Sequence, residues 1–456
     1  MKGKPHARQK KSCKNKLVFK LLMNKSPLSR ICEVADIDPV TLYRKIQYIR
    51  DQCEQFTAHR EKRLFEGDVV PSKVQISVDQ QFNFVNWPMR KDKRNVQIYT
   101  IASADNLTGY VFNASSNFDP LQNGEEIERK AEAIGDPEKL APFRKYARVW
   151  LQKDYRDARL LSAENAKKDE KKLSRENAPL AEDAIEEKEN NFEGMSPGLR
   201  IPSKGMQVHA EYTAFANFKL LGKMLEKVRS LNFYLDCDYI LSKGCLYFFR
   251  DKVKTGECRA FFVSINKNYS IDQKRSLLQK SKKMLAKESL LYPSLDEWSL
   301  KNVLVAEKID AARLRYENAL SHGARIHPWV EIPFPRMDEP EKKVLLLSGF
   351  KNAEKKISLS ESYLRAGLYG VDTFFQQIRR RISLLERPIS SSSSAGRRWS
   401  GYSPYNPGMV QNLVTIMRTF HNFVLPSSSE DKRTPAMKLG LAKGPVTMEK
   451  ILYFRG

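Results

Sequence analysis

The chain has 456 residues and a formal net charge of +25, which arises from 79 Lys and Arg against 54 Asp and Glu. This length allows two or three domains, and the charge favours a polyanionic partner, most simply nucleic acid, with a membrane surface as the competing interpretation. No apolar run approaches the roughly 20 residues that cross a bilayer, and no signal peptide is evident, so we expect no membrane partner.

The cysteines are typical of a reducing compartment. All six are widely spaced and none belongs to a C-x-x-C pair: Cys13, Cys32, Cys53, Cys237, Cys245 and Cys258. Such spacing favours reduced thiols in a cytosolic protein over a disulfide framework. Cys53 and His59 are too few ligands to argue for a zinc site. The cysteine pattern therefore predicts a cytoplasmic protein.

The N-terminal 66 residues are basic and then helical. Residues 1–16 are predicted to form a flexible basic arm, either solvated or in contact with phosphates. Within 17–66, Pro27 opens one helix and Asp38-Pro39 caps a second after a three-residue break. These are the proportions of an all-α helix-turn-helix domain, although any helical hairpin has a similar pattern. As a recognition helix, the second would present these DNA-binding residues at its start: Thr41, Tyr43, Arg44 and Lys45.

A β-meander is predicted after residue 72. Val74, Ile76 and Val78 alternate with polar residues, which is typical of a half-buried strand and places Asp79 at its end, opposite the apolar face. A second strand is predicted over 96–104. The chain then turns at Asp105 and the following residues and returns as a third strand. We interpret Asp105 as a turn residue, with a catalytic role as the lesser alternative.

The middle of the chain alternates ordered and charged segments. Residues 120–205 are rich in Lys, Glu and Asp without a sustained apolar face, which predicts a helical, mobile insertion. A helix follows with Tyr212 and Phe215 in its apolar stripe, and the strand Leu231–Leu235 then leads to Asp236. Either this aspartate lies on the polar face of the strand or it merely caps the next helix, and Asp238 is its close competitor. Residues 292–343 are predicted to be an irregular excursion.

A late helix over 364–385 carries a third acid. Its apolar residues recur every three or four positions, and Asp372 lies beside that stripe, followed by Arg379, Arg380 and Arg381. The arrangement suits a carboxylate facing a metal while the arginines hold DNA phosphates, although an ordinary amphipathic surface helix has the same pattern. Residues 389–456 are predicted to be a Ser-rich break and a basic helical tail.

Three separated aspartates on a basic protein predict phosphodiester chemistry. Two divalent ions roughly 3.5–4 Å apart, held by carboxylates, activate an attacking oxygen and stabilise a leaving oxygen. Mg²⁺, or Mn²⁺ in its place, is a hard ion that prefers oxygen ligands. We therefore assign both catalysis and metal binding to Asp79, Asp236 and Asp372.

The same order of elements resembles insertion-sequence transposases with a DDE/DDD motif. The resemblance covers residues 17–120 and 205–456, and its most specific carriers are VDTFFQQIRRRISLLERP at 371–388, YSPYNP at 402–407 and RTPAMKLGLA at 433–442. It implies an α/β fold with an RNase H-like, integrase-type catalytic core over 72–388, interrupted by helical insertions and preceded by the helix-turn-helix domain. In this family the third acid begins a helix that carries an arginine seven residues later, as Asp372 and Arg379 do here.

Two departures from the family pattern are visible. Related elements often carry a cysteine-rich zinc module before the helix-turn-helix, whereas only Cys13 is present here, which suggests a shortened N-terminus. Many relatives have Glu as the third acid, and Asp at that place keeps Glu361 as a rival to Asp372.

The resemblance implies nicking of double-stranded DNA at the terminal inverted repeats of an element and strand transfer into target DNA. Synapsis of two ends further implies a homodimer or higher oligomer, in a bacterial cytoplasm and associated with the nucleoid. The alternative is a decayed or truncated element protein that only binds DNA in a sequence-specific manner. A simple nuclease is less favoured, because a separate DNA-reading domain is predicted.

Overall fold

Mixed strand directions characterise the central sheet of the computed structural model. The model describes residues 9–86, 95–158, 160, 205–266, 268–323, 326–350, 356–386, 389–390, 398–399 and 406–455. The strands are β1 (Val74–Asn86), β2 (Asn95–Asp105), β3 (Val111–Ser116), β4 (Phe118–Asp119), β5 (Met206–Gln207), β6 (Leu231–Leu235), β7 (Cys258–Asn266), β8 (Val330–Ile332), β9 (Glu341–Leu346), β10 (Ile389–Ser390) and β11 (Arg398–Trp399).

Seven strands form the main sheet in the order β3-β2-β1-β6-β7-β9-β8. Strands β1, β2 and β3 are an antiparallel meander, and β6 and β7 then continue parallel to β1. Strands β9 and β8 add to the far edge in antiparallel fashion. The predicted α/β class is confirmed at this level.

Helices cover both faces of the sheet. The helices are α1 (Asn15–Leu22), α2 (Leu28–Ala35), α3 (Pro39–Glu66), α4 (Gly124–Ala133), α5 (Ala210–Met224), α6 (Tyr239–Phe248), α7 (Arg250–Thr255), α8 (Ile271–Leu291), α9 (Glu297–Ser321), α10 (Lys356–Leu364), α11 (Tyr369–Arg381), α12 (Gly408–Phe423), α13 (Pro435–Lys438) and α14 (Met448–Leu452). Helix α5 lies on one face, where Asn217 bonds to Ser103 of β2. Helices α10, α11 and α12 lie on the other. None of the helices in the described part of the chain is both long and apolar enough to cross a lipid bilayer.

Strand β1 is longer and more buried than its pattern predicts. Gln75 and Ser77 are fully buried, because helices cover the polar face of this strand as well as its apolar face. The strand also continues to Asn86 in pairing with β2. Asp79 therefore lies in the middle of β1 and not at its end, but it follows directly after the last residue of β1 that pairs with β6.

The N-terminal helices belong to the same hydrophobic core as the sheet. Helix α3 runs for 28 residues, and its second half packs against α12, with the rings of Phe56 and Phe423 5.1 Å apart. The predicted flexible arm is ordered from residue 9, and Asn15 is fully buried. Residues 1–8 of that arm lie outside the described residues.

Two other segments differ from the sequence prediction. Residues 292–343, expected to be irregular, contain the 25-residue helix α9, strand β8 and the first part of β9. The C-terminal segment is helical as predicted, with α12 at Gly408–Phe423, but it also contributes core residues, since Leu413, Leu441 and Ile451 are fully buried. Helix α12 has 16 residues with a single arginine, and its many buried apolar side chains supply the contact area that holds this segment in the core.

The charged insertion is ordered where it is described. Strand β4 pairs with β5, and residues 152–158 are helical. A small separate cluster lies between these elements, formed by Ala131, Val149, Leu151 and Met206. Residues 159 and 161–204 of the insertion, and most of the Ser-rich break, lie outside the described residues.

Candidate active site

The first two predicted acids lie side by side on adjacent parallel strands. The pairing of β1 with β6 ends at Val78 and Leu235, and the Asp236 N–H still donates to the Val78 carbonyl at 3.2 Å. Asp79 and Asp236 are therefore the next residues in register. In-register residues on neighbouring strands project to the same face, and the strands are about 4.8 Å apart. The backbone thus brings these two carboxylates together, both half-buried.

The helix of the third acid docks on the same face of β1. The Val371 N–H donates to the Ser77 hydroxyl at 3.0 Å, and Ser77 precedes Asp79 by two residues. Residues two apart in a strand face the same side and lie about 7 Å apart. Asp372, the next residue after Val371, is in the first turn of α11 and half-buried. The positive end of a helix stabilises a carboxylate at that place.

The competing acids have other positions or tasks. Asp238 caps α6 by accepting the Ile240 N–H at 2.7 Å, so the capping task that Asp236 might have had belongs to its neighbour. Asp105 is 1% exposed and accepts the Thr108 N–H and hydroxyl, as expected of a turn residue. Its burial raises the pKa of that carboxyl.

Glu361 lies near the opposite end of β1. Its carboxylate is 3.9 Å from the ammonium of Lys73, the residue before the strand begins. Asp79 lies six positions after Lys73, a distance of about 20 Å along the strand. The fold therefore brings Asp372, and not Glu361, toward the place where Asp236 follows the end of β6 beside Asp79.

The donor chemistry of the three aspartates suits Mg²⁺ or Mn²⁺, because every donor atom that they offer is a carboxylate oxygen. Their placement on β1, β6 and α11 is compatible with one shared site. Within the described residues, however, no group of three or more His, Cys, Asp or Glu side chains is arranged to hold a metal ion. The backbone places Asp79 and Asp236 side by side, and the start of the helix that carries Asp372 is bonded to the same strand.

Two of the four predicted recognition residues are exposed. Tyr43 and Arg44 lie on the outside of α3, where they are accessible to a ligand. Thr41 serves the helix cap, because its N–H and its hydroxyl both donate to Asp38. The hydrogen bond from the Thr41 hydroxyl lowers the pKa of the Asp38 carboxyl.

Lys45 is placed differently from its predicted role. It is 4% exposed, and its ammonium donates to the Lys11 carbonyl at 2.9 Å and to Asn15 Oδ1 at 2.6 Å. Burial lowers the pKa of this ammonium. Lys45 lies on the buried face of α3. It therefore binds the N-terminal segment and does not face outward.

The three arginines of α11 also differ from one another. Arg380 is exposed and Arg379 is half-buried. Arg381 donates to the Met23 carbonyl at 3.2 Å, and its guanidinium lies 5.5 Å from the ring centroid of Phe420. Burial lowers the pKa of that guanidinium. Arg381 thus joins α11 to the loop between α1 and α2.

Sequence reasoning missed three residues that organise this site: Ser77, Asn106 and Gly370. Asn106 accepts the Gly370 N–H at 3.0 Å and donates to the Gly367 carbonyl at 2.8 Å. A Cβ atom at Gly370 would lie only 2.6 Å from Asn106 Oδ1. The one available signal was the unusual presence of two glycines, at 367 and 370, before the apolar stripe of a helix.

Comparisons with known proteins give no relative for this chain. No protein-family model matches it, no curated protein matches in sequence, and no solved structure matches in fold.

Proposed function

We propose that this protein is a DNA transposase of the DDE/DDD type, which cleaves the ends of a mobile element and joins them to target DNA. The observation that carries the proposal is the placement of three aspartates. Asp79 and Asp236 directly follow the last paired residues of the adjacent parallel strands β1 and β6, and the helix of Asp372 is bonded to Ser77 of β1.

The strand order supports an RNase H-like core. Such a core is expected to have a three-stranded antiparallel meander whose first strand is followed by two parallel neighbours. The order β3-β2-β1-β6-β7 has these directions, with α5 between β3 and β6 and α11 after β7. Strands β8 and β9, with α8 and α9, would then be an insertion between the last core strand and the helix of the third acid.

The proposed chemistry follows from the donor set. Asp79, Asp236 and Asp372 would hold Mg²⁺ or Mn²⁺, which supplies a Lewis acid for the attacking and the leaving oxygens of the phosphodiester. The protein's own contribution is positional, since two strands and a helix end fix the three carboxylates. Cleavage would expose a 3′-hydroxyl, and that hydroxyl would then attack target DNA.

The N-terminal helices are the proposed reader of the element ends. Helices α2 and α3 flank a turn at Asp36, which adopts the left-handed conformation that ends α2. Arg44 and Tyr43 are the exposed residues at the start of α3. The net charge of +25 suits a protein that neutralises many phosphates.

A second candidate function is sequence-specific DNA binding without catalysis. This alternative needs only the exposed residues at the start of α3 and the basic charge of the chain. A decayed element protein would keep the fold and the DNA-reading helices while losing the metal site.

End cleavage separates the two candidates. We would incubate the full chain with the terminal DNA of its element in Mg²⁺, together with Asp79→Asn, Asp236→Asn and Asp372→Asn, each of which removes one charge with little change of size. Glu361→Gln is the matched control, because it removes the same charge at the other end of β1. The transposase proposal expects nicking by the wild type and the control, and binding without nicking by the three variants.

Other outcomes have defined meanings. Binding without cleavage by the wild type supports the second candidate. If Asp372→Asn cleaves normally and Glu361→Gln does not cleave, the third catalytic acid is Glu361 and not Asp372.

A further inference from the structure

The helix that carries Asp372 begins without a cap of its own. Its N-cap residue is Leu368, which makes no side-chain capping bond. A helix leaves its first N–H groups without intrahelical partners, and Ser, Thr, Asp or Asn at the N-cap normally accepts from the second or third of them. For α11 those two groups are the N–H groups of Gly370 and Val371.

Side chains from the sheet supply the missing cap. Ser77 Oγ of β1 accepts the Val371 N–H at 3.0 Å, and Asn106 Oδ1 in the turn after β2 accepts the Gly370 N–H at 3.0 Å. Asn106 Nδ2 also donates to the carbonyl of Gly367 at 2.8 Å, before the helix begins. The first turn of α11 is thus capped by residues more than 260 positions earlier in the chain.

Gly370 permits this close approach. A Cβ atom there would lie 2.6 Å from Asn106 Oδ1 and 3.0 Å from Ser77 Oγ. Any side chain at this position would displace either the capping groups or the helix end, and the capping bonds would be weakened in both cases.

The capping side chains are themselves fixed to the strand of the first acid. The Asn106 N–H donates to the Gln75 carbonyl at 2.6 Å, and the Gln75 N–H donates to Asp105 Oδ1 at 2.9 Å. Ser77 is fully buried, and its hydroxyl donates to the Ala104 carbonyl at 3.2 Å. The cap and Asp79 therefore share one rigid piece of β1 and its hairpin.

We infer that Ser77 and Asn106 are positioning residues that set Asp372 against Asp79, and so set the affinity of the three carboxylates for a divalent cation. This inference rests on the proposed function. A carboxylate on a loosened helix end binds a metal less well, and groups that orient ligands typically affect metal affinity 10- to 100-fold.

Two variants and a control test the inference in the full-length protein. Asn106→Ala removes both bonds to the start of α11, and Ser77→Ala is the smaller change that removes one. Thr108→Ala is the matched control, because Thr108 bonds to Asp105 in the same turn but makes no bond to α11. Thermal unfolding of each variant identifies any general loss of fold.

Two readouts are independent of DNA cleavage. Amide hydrogen exchange over residues 368–374 measures the stability of the helix start, and paramagnetic resonance with Mn²⁺ alone measures cation affinity. We expect faster exchange and at least tenfold weaker Mn²⁺ binding in Asn106→Ala, a smaller change of the same sign in Ser77→Ala, and wild-type values in Thr108→Ala.

The failures are distinguishable. If the wild type binds Mn²⁺ and both capping variants bind it equally well, the positioning role is overturned while the proposed function stands. If the wild type binds no Mn²⁺, and Asp79→Asn behaves identically, the metal site and the positioning role are overturned together. Equal effects in Thr108→Ala and Asn106→Ala would assign the effect to the turn as a whole and also overturn the inference.

Discussion

The guanidinium of Arg418 on α12 is paired with the carboxylate of Glu61 on α3, inside the protein. The Tyr110 hydroxyl donates to the same carboxylate at 2.7 Å, and Arg418 Nε donates to the Val111 carbonyl at 3.0 Å. The pair thereby connects the N-terminal helices, the C-terminal helix and β3. Helix α3, the proposed DNA reader, therefore cannot move as a separate domain without exposing that pair.

Arg418→Met is therefore expected to be strongly destabilising. Burial raises the pKa of Glu61, and removal of its cation leaves a buried carboxylate without its charge partner. Loss of one member of a buried pair costs about 3–5 kcal/mol. Urea unfolding followed by tryptophan fluorescence measures the change. Glu33→Gln, which removes the exposed pair with Arg30, is the control and is expected to have little effect. If Arg418→Met lowers the free energy of unfolding no more than Glu33→Gln does, the buried pair is not important for stability.

Arg44 and Lys45 are adjacent in sequence but are expected to respond differently to mutation. Arg44→Gln removes an exposed cation from the proposed DNA-reading helix. We therefore expect weaker DNA binding and a slope of log affinity against log salt that is smaller by about 1. Lys45→Met removes buried hydrogen bonds to Lys11 and Asn15, and we expect a loss of roughly 1–3 kcal/mol of stability. Fluorescence anisotropy with terminal DNA at several salt concentrations, together with thermal unfolding, checks both. An unchanged salt slope in Arg44→Gln would contradict the predicted recognition role.

The strands were predictable because their pattern depends on nearby residues. Alternation in Val74, Ile76 and Val78 located β1, and Leu231–Leu235 was predicted with the observed bounds. The apolar stripe of α11 was also correct, since Val371, Phe375 and Ile378 are all buried, but the helix spans only Tyr369–Arg381 of the predicted range 364–385. Alternation could not show that helices cover both faces of β1, because that depends on elements distant in sequence.

Helix α5 shows the limit of apolar periodicity. The sequence places Tyr212 on the apolar stripe, but its side chain is 45% exposed. The buried face instead includes Thr213 and Asn217, because Asn217 hydrogen-bonds to Ser103 of β2. A buried polar residue with a partner in a remote strand has no local signal. For the same reason the sequence did not indicate Asn106, because its bonds to the start of α11 form only in the folded structure.

His421 is expected to make stability depend on pH. Burial lowers its pKa from 6.5 to about 4, although its ring lies 3.0 Å from the Gly109 carbonyl, a contact that favours the proton. The unfolded chain binds the proton near pH 6.5 and the folded chain only near pH 4. Folding stability is therefore full above the unfolded pKa and falls as the pH drops from about 6.5 to 4, by up to about 3 kcal/mol.

His421→Gln isolates this effect, since it leaves the acidic side chains unchanged. Urea unfolding of the two proteins between about pH 7 and pH 4.5 is expected to show a steeper loss in the wild type. Parallel pH profiles would mean that the histidine is not buried in its neutral form.

Gly370→Ala is expected to disturb the third acid more than the fold. The added Cβ would meet Asn106 Oδ1 at 2.6 Å, so either the Asn106 amide or the start of α11 must shift, and either movement breaks the bond between them. We expect faster hydrogen exchange over 368–374 and a higher Mg²⁺ concentration for half-maximal end cleavage. Gly222→Ala on α5 is the control, because a Cβ there meets nothing within 4 Å. A Mg²⁺ requirement that is the same in both variants would contradict the expected shift of Asp372.

Helix α8 is expected to be a second surface for DNA. It has 21 residues and no buried one, and it begins shortly after the end of β7, at the same edge of the sheet as Asp236. Lys280 and Lys283 lie one turn apart on its exposed side.

If they bind phosphates, Lys280→Gln/Lys283→Gln weakens binding to every DNA sequence equally. The slope of log affinity against log salt then falls by roughly 0.9 for each phosphate that the protein no longer neutralises. Lys219→Gln/Lys223→Gln removes the same charge from exposed positions of α5 and is the control. Equal slopes for the two double variants would show that the effect reflects net charge alone, and α8 would then have no specific place on the DNA path.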